Sequence, residues 1–312
     1  MTLNRLLQQY LEYLEIEKNR SQKTVENYNR YLRRFIKFLE DKLGKKADSL
    51  DPKAIDQEMV RQYRLFLNRI NKDNSPAGEL KKITQNYYVI ALRGFLKYLA
   101  KLGVKSLSAE KVELGKATPR DIDIISYDDL ERLLDSAKGT SIRDLRDKAV
   151  LEILFSTGLR VSEMCQLNRD SINLDRGEFS VRGKGDKVRV VFLSDTARDA
   201  LKKYLDKRED IDEALFISFS KSGNPKVLGR VTPRTIQRLM QHYASKAGIT
   251  RRVTPHTLRH LFATDLLQNG ADLRSVQMML GHSSLVTTQI YTHLTNKELK
   301  EIHQSFHGRR RK

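Results

Sequence analysis

The sequence has no tryptophan, a single cysteine and only six prolines in 312 residues, and acidic side chains are its scarcer charge. Cys165 alone excludes an internal disulfide and suits a reducing compartment. No run of about eighteen apolar residues is available to cross a bilayer, and Met1-Thr2-Leu3-Asn4-Arg5 leads directly into an amphipathic pattern rather than a signal peptide. The seven histidines are scattered, so no Cys/His cluster has metal-ligand spacing and no metal is expected. Together these absences predict a cytoplasmic, soluble, globular protein.

What is abundant is positive charge. Fifty-eight lysines and arginines face 39 acids, a formal net charge of +19, and such an excess selects a polyanionic partner. An anionic membrane fits poorly, because no helix joins a basic face to an exposed Trp/Phe face. RNA fits poorly too, for want of an aromatic RNP-like motif. DNA is the expected partner.

The first hundred residues read as four amphipathic helices, over 3–17, 21–43, from about Asp56, and from about Thr84 to Leu102 after an Asn74-Ser75-Pro76-Ala77-Gly78 loop. In the second, Val25, Tyr28, Leu32, Phe35 and Leu39 recur three and four apart and make a buried stripe. Arg30, Arg33, Arg34 and Lys37 form another stripe without acids, open to two readings: a solvated face, or one that follows phosphates. The third helix buries Val60, Tyr63, Phe66, Leu67 and Ile70, and the fourth includes Tyr87, Ile90, Phe95 and Leu99. Four such helices with short connections predict a small bundle over residues 1–103. Residues 104–122 are charged and weakly periodic, which predicts a linker to a second domain over 123–312.

That second domain is expected to mix helices with a small antiparallel sheet. Ser126, with Asp129 three residues on, caps one helix, and another runs from about Ile142 to Thr157 and stops at Gly158. Residues 171–174, 178–182 and 188–193 read as strands joined by hairpin turns at 175–177 and 183–187. Helices follow at about 194–208, 233–247 and 255–268. Thr254-Pro255 opens the last of these, with Leu258, Leu261, Phe262 and Leu266 on its inner face and His256 and Arg259 facing away. Asn269-Gly270 ends it. Asp272 caps a further helix with apolar Val276, Met279 and Leu280, and Gly281 places His282 at a corner. A final amphipathic helix is expected over 296–306, and the tail Arg309-Arg310-Arg311-Lys312 is expected to be disordered.

His-Thr-Leu-Arg-His at 256–260, Leu-Gly-His-Ser at 280–283 and Tyr291, nine residues beyond His282, resemble the second half of the tyrosine recombinase (phage-integrase-like) catalytic domain. The likeness is greatest to the Xer group. Arg160, in Thr-Gly-Leu-Arg-Val-Ser-Glu, matches the family's first arginine, and Glu163 its acidic partner. Lys184, in Gly-Lys-Gly, is similar to the hairpin lysine, with Lys187 as a nearby competitor. The resemblance covers residues 123–306 and implies a mainly α protein with a small antiparallel β-sheet: an N-terminal four-helix core-binding bundle and a C-terminal α+β catalytic domain.

The resemblance also assigns work. Arg160 and Arg259 would clamp the nonbridging oxygens of a phosphodiester and stabilise its pentacoordinate transition state. Tyr291 would be the nucleophile, with nearby cations favouring the phenolate. His256 would accept its proton or hold a phosphate oxygen, His282 would hydrogen-bond the scissile phosphate, and Lys184 would protonate the departing 5′ oxygen. The expected outcome is a 3′-phosphotyrosyl link, with no cofactor needed because bond energy is kept in the intermediate.

The function so implied is site-specific recombination through a Holliday junction, of the Xer kind that resolves chromosome dimers at a dif-type site. The absence of room for an extra N-terminal domain before Leu3 favours it over a mobile-element integrase. Type IB topoisomerase-like relaxation and a non-catalytic architectural role compete with it; the latter has no use for Tyr291. Expected partners are double-stranded DNA with a core site, a homotetramer or a heterotetramer with a second recombinase (docked through the last helix), and a DNA translocase. Its expected location is the nucleoid.

Overall fold

The computed structural model describes residues 2–69, 80–115, 125–183, 188–220 and 226–281. The chain divides into two compact units, 1–121 and 122–312.

Four helices build the first unit: α1 (Leu3–Ile16), α2 (Gln22–Leu43), α3 (Gln57–Arg69) and α4 (Lys82–Lys101). Thr2 starts α1 by accepting the Arg5 N–H, and Leu3, Leu6, Leu7, Tyr10, Leu11 and Leu14 recur at helical spacing on its buried side. The core is strongly aromatic where helices cross. Tyr10 lies 5.5 Å from Phe95 and 5.3 Å from Tyr98 between ring centroids, and Phe35 meets Tyr63 edge-on at 4.8 Å. The expected stripe on α2 is buried at Val25, Leu32, Phe35 and Leu39, with Tyr28 half-buried. Tyr87 and Ile90 of α4 face outward, whereas Phe95 and Leu99 face inward.

Residues 104–115, expected to begin a linker, are packed on this unit instead. The Leu107 N–H donates to Ile55 O at 3.1 Å, and Ala109 and Val112 are buried in the helical core. The segment is a loop with one 3₁₀ turn at Ala109–Lys111, so its apolar residues have no helical period to reveal them. The 74–78 loop and Ile70 lie outside the described residues.

In the second unit α5 (Tyr127–Ser136) is capped by Ser126, whose Oγ accepts the Asp129 N–H. At its centre, α6 (Ile142–Thr157) is buried nearly all round, at Ala149, Val150, Leu151, Ile153 and Leu154. The short α7 (Val161–Cys165), which periodicity did not reveal, follows at once. An antiparallel sheet comes next, β1 (Ile172–Asn173), β2 (Glu178–Arg182) and β3 (Val188–Phe192), in the order β1-β2-β3 with Phe179 opposite Val191 and Val181 opposite Arg189. Then come α8 (Asp195–Asp206), a second hairpin of β4 (Ile217–Phe219) and β5 (Val227–Arg230), α9 (Pro233–Lys246), α10 (Pro255–Gln268) and α11 (Leu273–Leu280). Helices α8, α9 and α10 pack around α6, and α11 packs on α10 and β3.

Gly158 joins α6 to α7 in the left-handed region at φ +58°, and a Cβ there would come within 2.4 Å of the Phe262 ring. Both the backbone and the close approach of α10 demand glycine. Gly158→Ala should therefore destabilise the second unit by about 2–4 kcal/mol, combining left-handed strain with overpacking. Urea unfolding of the full chain checks this; a loss below about 1 kcal/mol would mean α10 gives way at no cost.

Candidate active site

Arg160 is the N-cap of α7, and Glu163 sits one turn along. The carboxylate Oε2 accepts the Arg160 backbone N–H at 2.9 Å, while Oε1 accepts Nη1 of the Arg160 side chain at 2.7 Å. Glu163 thus starts its own helix and orients the guanidinium, as the sequence expects. A second arginine approaches from the other side: Arg189 of β3 donates Nη2 to Oε2 at 2.6 Å and Nη1 to Oε1 at 3.1 Å. The Glu163 side chain is 6% exposed and that of Arg189 9%. Burial pulls the Glu163 carboxyl upward, but hydrogen bonds from Arg189 and Arg160 outweigh this and hold it below the usual carboxylate range.

Thr254 and Pro255 start α10, with Thr254 Oγ1 accepting the Thr257 N–H. His256 is exposed on the first turn, its ring centroid 4.5 Å from that of buried His260. Arg259 departs from expectation. It does not face outward with His256 but is 2% exposed, donating Nη1 to Gly158 O and Nη2 to Leu280 O. Three residues separate the two by only about 60° around a helix, enough for one to meet solvent while the other satisfies carbonyls inside.

The chain turns after α11, and three arginines meet it there on successive carbonyls. Arg189 Nε donates to Met279 O at 3.0 Å, Arg259 donates to Leu280 O, and Arg160 Nη2 donates to Gly281 O at 3.3 Å. The C-terminal carbonyls of a helix are its negative end and lack intrahelical donors, so cations suit them on both counts. Gly281 adopts φ +63°, and a Cβ on it would lie 3.2 Å from Arg189 Cδ. Arg160 and Arg259, 99 positions apart in the sequence, are thereby brought to adjacent carbonyls immediately before His282. His282, Lys184, Lys187, Tyr291 and the 296–306 segment lie outside the described residues. Among the described residues no group of three or more His, Cys, Asp or Glu could hold a metal. Cys165 is buried, which pushes its thiol up to about 11.

Arg189 is the member that motif reading missed. No local pattern marked it: hydrophobic alternation along β3 would turn Val188, Val190 and Phe192 inward, whereas the strand instead places Arg189 on the face of buried Val191, where a buried anion must meet it. The other charged stripe belongs to the first unit. Arg30, Arg33, Arg34 and Lys37 are all exposed on α2. Arg30 donates to Asn27 Oδ1, Arg33 to Asn29 Oδ1 and Arg34 to the Tyr88 hydroxyl at 2.9 Å, all neutral acceptors.

A carboxyl held low contributes stability that is complete above its unfolded value of about 4.3 and is lost as pH falls through the depressed folded value. The thermal midpoint of the wild type should thus exceed that of Glu163→Gln by a constant margin from about pH 5 to 8, narrowing below about pH 4. A margin that widens toward acid would contradict a charged Glu163.

Residues 124–298 match the phage integrase family, and residues 7–103 match its N-terminal SAM-like domain. The tyrosine recombinase XerD of Listeria monocytogenes is 33% identical over 98% of this chain and 100% of its own length. The crystal structure of XerA recombinase is 32% identical, with a TM-score of 0.52 over 98% of this chain and 99% of that one. The XerH site-specific recombinase bound to difH substrate, in a pre-cleavage complex, is 26% identical with a TM-score of 0.65, covering 95% of this chain and 83% of that one. The chain belongs to the phage integrase family and is a tyrosine-type site-specific DNA recombinase.

Proposed function

We propose that this recombinase cuts and rejoins double-stranded DNA at a dif-type core site and resolves chromosome dimers. The observation that carries the chemistry is the convergence of Arg160 and Arg259 on the carbonyls of residues 281 and 280, with Glu163 bracing the first guanidinium. Support for the biological role comes from likeness along the whole chain to XerD and from the difH complex of XerH.

In this reading Arg160 and Arg259 stabilise the charge that grows on the nonbridging oxygens as phosphorus becomes pentacoordinate. The phenolate oxygen of Tyr291 attacks phosphorus, and His256 takes the phenolic proton or holds an oxygen. The bond from phosphorus to the 5′ oxygen breaks, and Lys184 protonates that oxygen. His282 hydrogen-bonds the scissile phosphate. A 3′-phosphotyrosyl link remains, and attack by the 5′ hydroxyl of a partner strand releases Tyr291 and forms the Holliday junction. The second unit is the catalytic domain and the first the core-binding domain, with Arg30, Arg33, Arg34 and Lys37 following the phosphates. Four protomers, of this chain alone or with a second recombinase, assemble on two sites through the 296–306 segment, under the control of a DNA translocase.

Covalent trapping on nicked suicide duplexes tests the chemistry. Wild type should give a denaturation-resistant adduct without added metal; Tyr291→Phe should give none while binding DNA with similar affinity. Arg160→Ala should slow adduct formation on the order of 10²-fold or more. Adducts that persist in Tyr291→Phe would put the nucleophile elsewhere, and adducts on any sequence alike would indicate a topoisomerase instead. Neutralising the four stripe residues together should flatten the dependence of log affinity on log salt. An unchanged slope would return that stripe to an ordinary solvated face.

A further inference from the structure

We infer that Arg189 is a positioning residue for strand cleavage: from β3 it fixes Glu163, and through it the Arg160 guanidinium, against the carbonyl corner that ends α11. The inference rests on the proposed reading of Arg160 and Arg259 as the phosphate-holding pair. Three observations carry it. Arg189 binds both oxygens of Glu163 while its Nε reaches Met279 O, so one planar fork joins α7, β3 and the end of α11. The Glu163 oxygens are shared with Arg160, so loss of Arg189 would leave the carboxylate free to swing toward a single partner. Gly281 gives Arg189 the room it needs, since a Cβ there would press on Arg189 Cδ at 3.2 Å.

Arg189 also follows Lys184 by five residues along the chain and is the second residue of β3. Arg189 itself touches no substrate. It acts by keeping Arg160 in register with Arg259, and misplacement by about 1 Å can cost on the order of 10²-fold in rate.

The test uses the full-length protein and a nicked suicide duplex that wild type cleaves. Four proteins are compared with wild type: Arg189→Gln, Arg189→Lys, Glu163→Gln and the double variant Glu163→Gln/Arg189→Gln. Equilibrium binding and thermal midpoint are measured beside the single-turnover rate of adduct formation. Arg189→Gln should slow adduct formation roughly ten- to a hundredfold with binding within about threefold of wild type. Arg189→Lys keeps the charge without the fork and should recover only part of the rate. The double variant should be no slower than the slower single one, because both act through one ion pair. Wild-type rate in Arg189→Lys overturns the inference even if Arg189→Gln fails to fold, and so do losses that multiply in the double variant. Those results would leave the proposed chemistry standing as long as wild type gives a Tyr291-dependent adduct that Arg160→Ala slows. Absence of any such adduct from wild type would overturn both.

Discussion

A carboxylate with 6% of its side chain exposed keeps its charge only if cations reach it, and Glu163 is reached by two. The rest of the second unit's chemistry depends on that arrangement. Glu163 caps α7 through Oε2 and orients the Arg160 guanidinium through Oε1, so one carboxylate serves both the helix start and the arginine. Arg189 completes the carboxylate's coordination and at the same time holds the last turn of α11. Removing one partner of a buried pair typically costs about 3–5 kcal/mol, chiefly because the other charge is stranded. Among the described residues three guanidiniums gather here with one carboxylate, and helix-end carbonyls offset part of their charge. On the proposed reading, positive charge fixed in this way before any ligand arrives would serve a phosphate acquiring charge, since no reorganisation is left for the moment of reaction.

The same constraint explains β3, which is turned against its own hydrophobicity. Val188, Val190 and Phe192 point outward at 60%, 48% and 54% exposure, while Arg189 shares the inner face with Val191. Burying side chains of that size would ordinarily contribute about 1.5–3 kcal/mol each. Hydrophobic alternation alone would place them inside and Arg189 outside. The register pairs Val181 with Arg189 and Phe179 with Val191, and turning the strand over would take the fork away from Glu163 and leave that carboxylate with one arginine. The ion pair wins because an unsatisfied buried charge costs more than partial exposure of apolar surface.

This is also where the sequence stopped being legible. Helix ends could be read wherever the capping chemistry is local: Ser126 before α5, Gly158 after α6, Thr254-Pro255 before α10, Asp272 before α11. The link between Glu163 and Arg160 could be read for the same reason, three residues within one motif. Arg189 could not, because its partners Glu163 and Met279 are 26 and 90 positions away and no short-range period encodes them. The inward turn of Arg259 was hidden likewise, its acceptors Gly158 and Leu280 being set by packing between α6, α10 and α11. The β4–β5 hairpin and residues 104–115 went unseen because strands of three and four residues and loops burying isolated apolar side chains carry too few repeats of any period.

Charge therefore does two different jobs in this chain, distinguished by depth. The arginines of α2 stand in solvent with neutral partners, where salt at physiological strength screens them over about 8 Å. Anything they contribute to holding DNA must weaken as salt rises. The Arg189 side chain is 9% exposed and Arg259 is buried, and their partners are a fixed carboxylate and helix-end carbonyls. Screening is much weaker there. On the proposed reading, affinity and bond-breaking would thus fall under separate physical control, one on a surface that ionic strength tunes and the other at a site that packing sets.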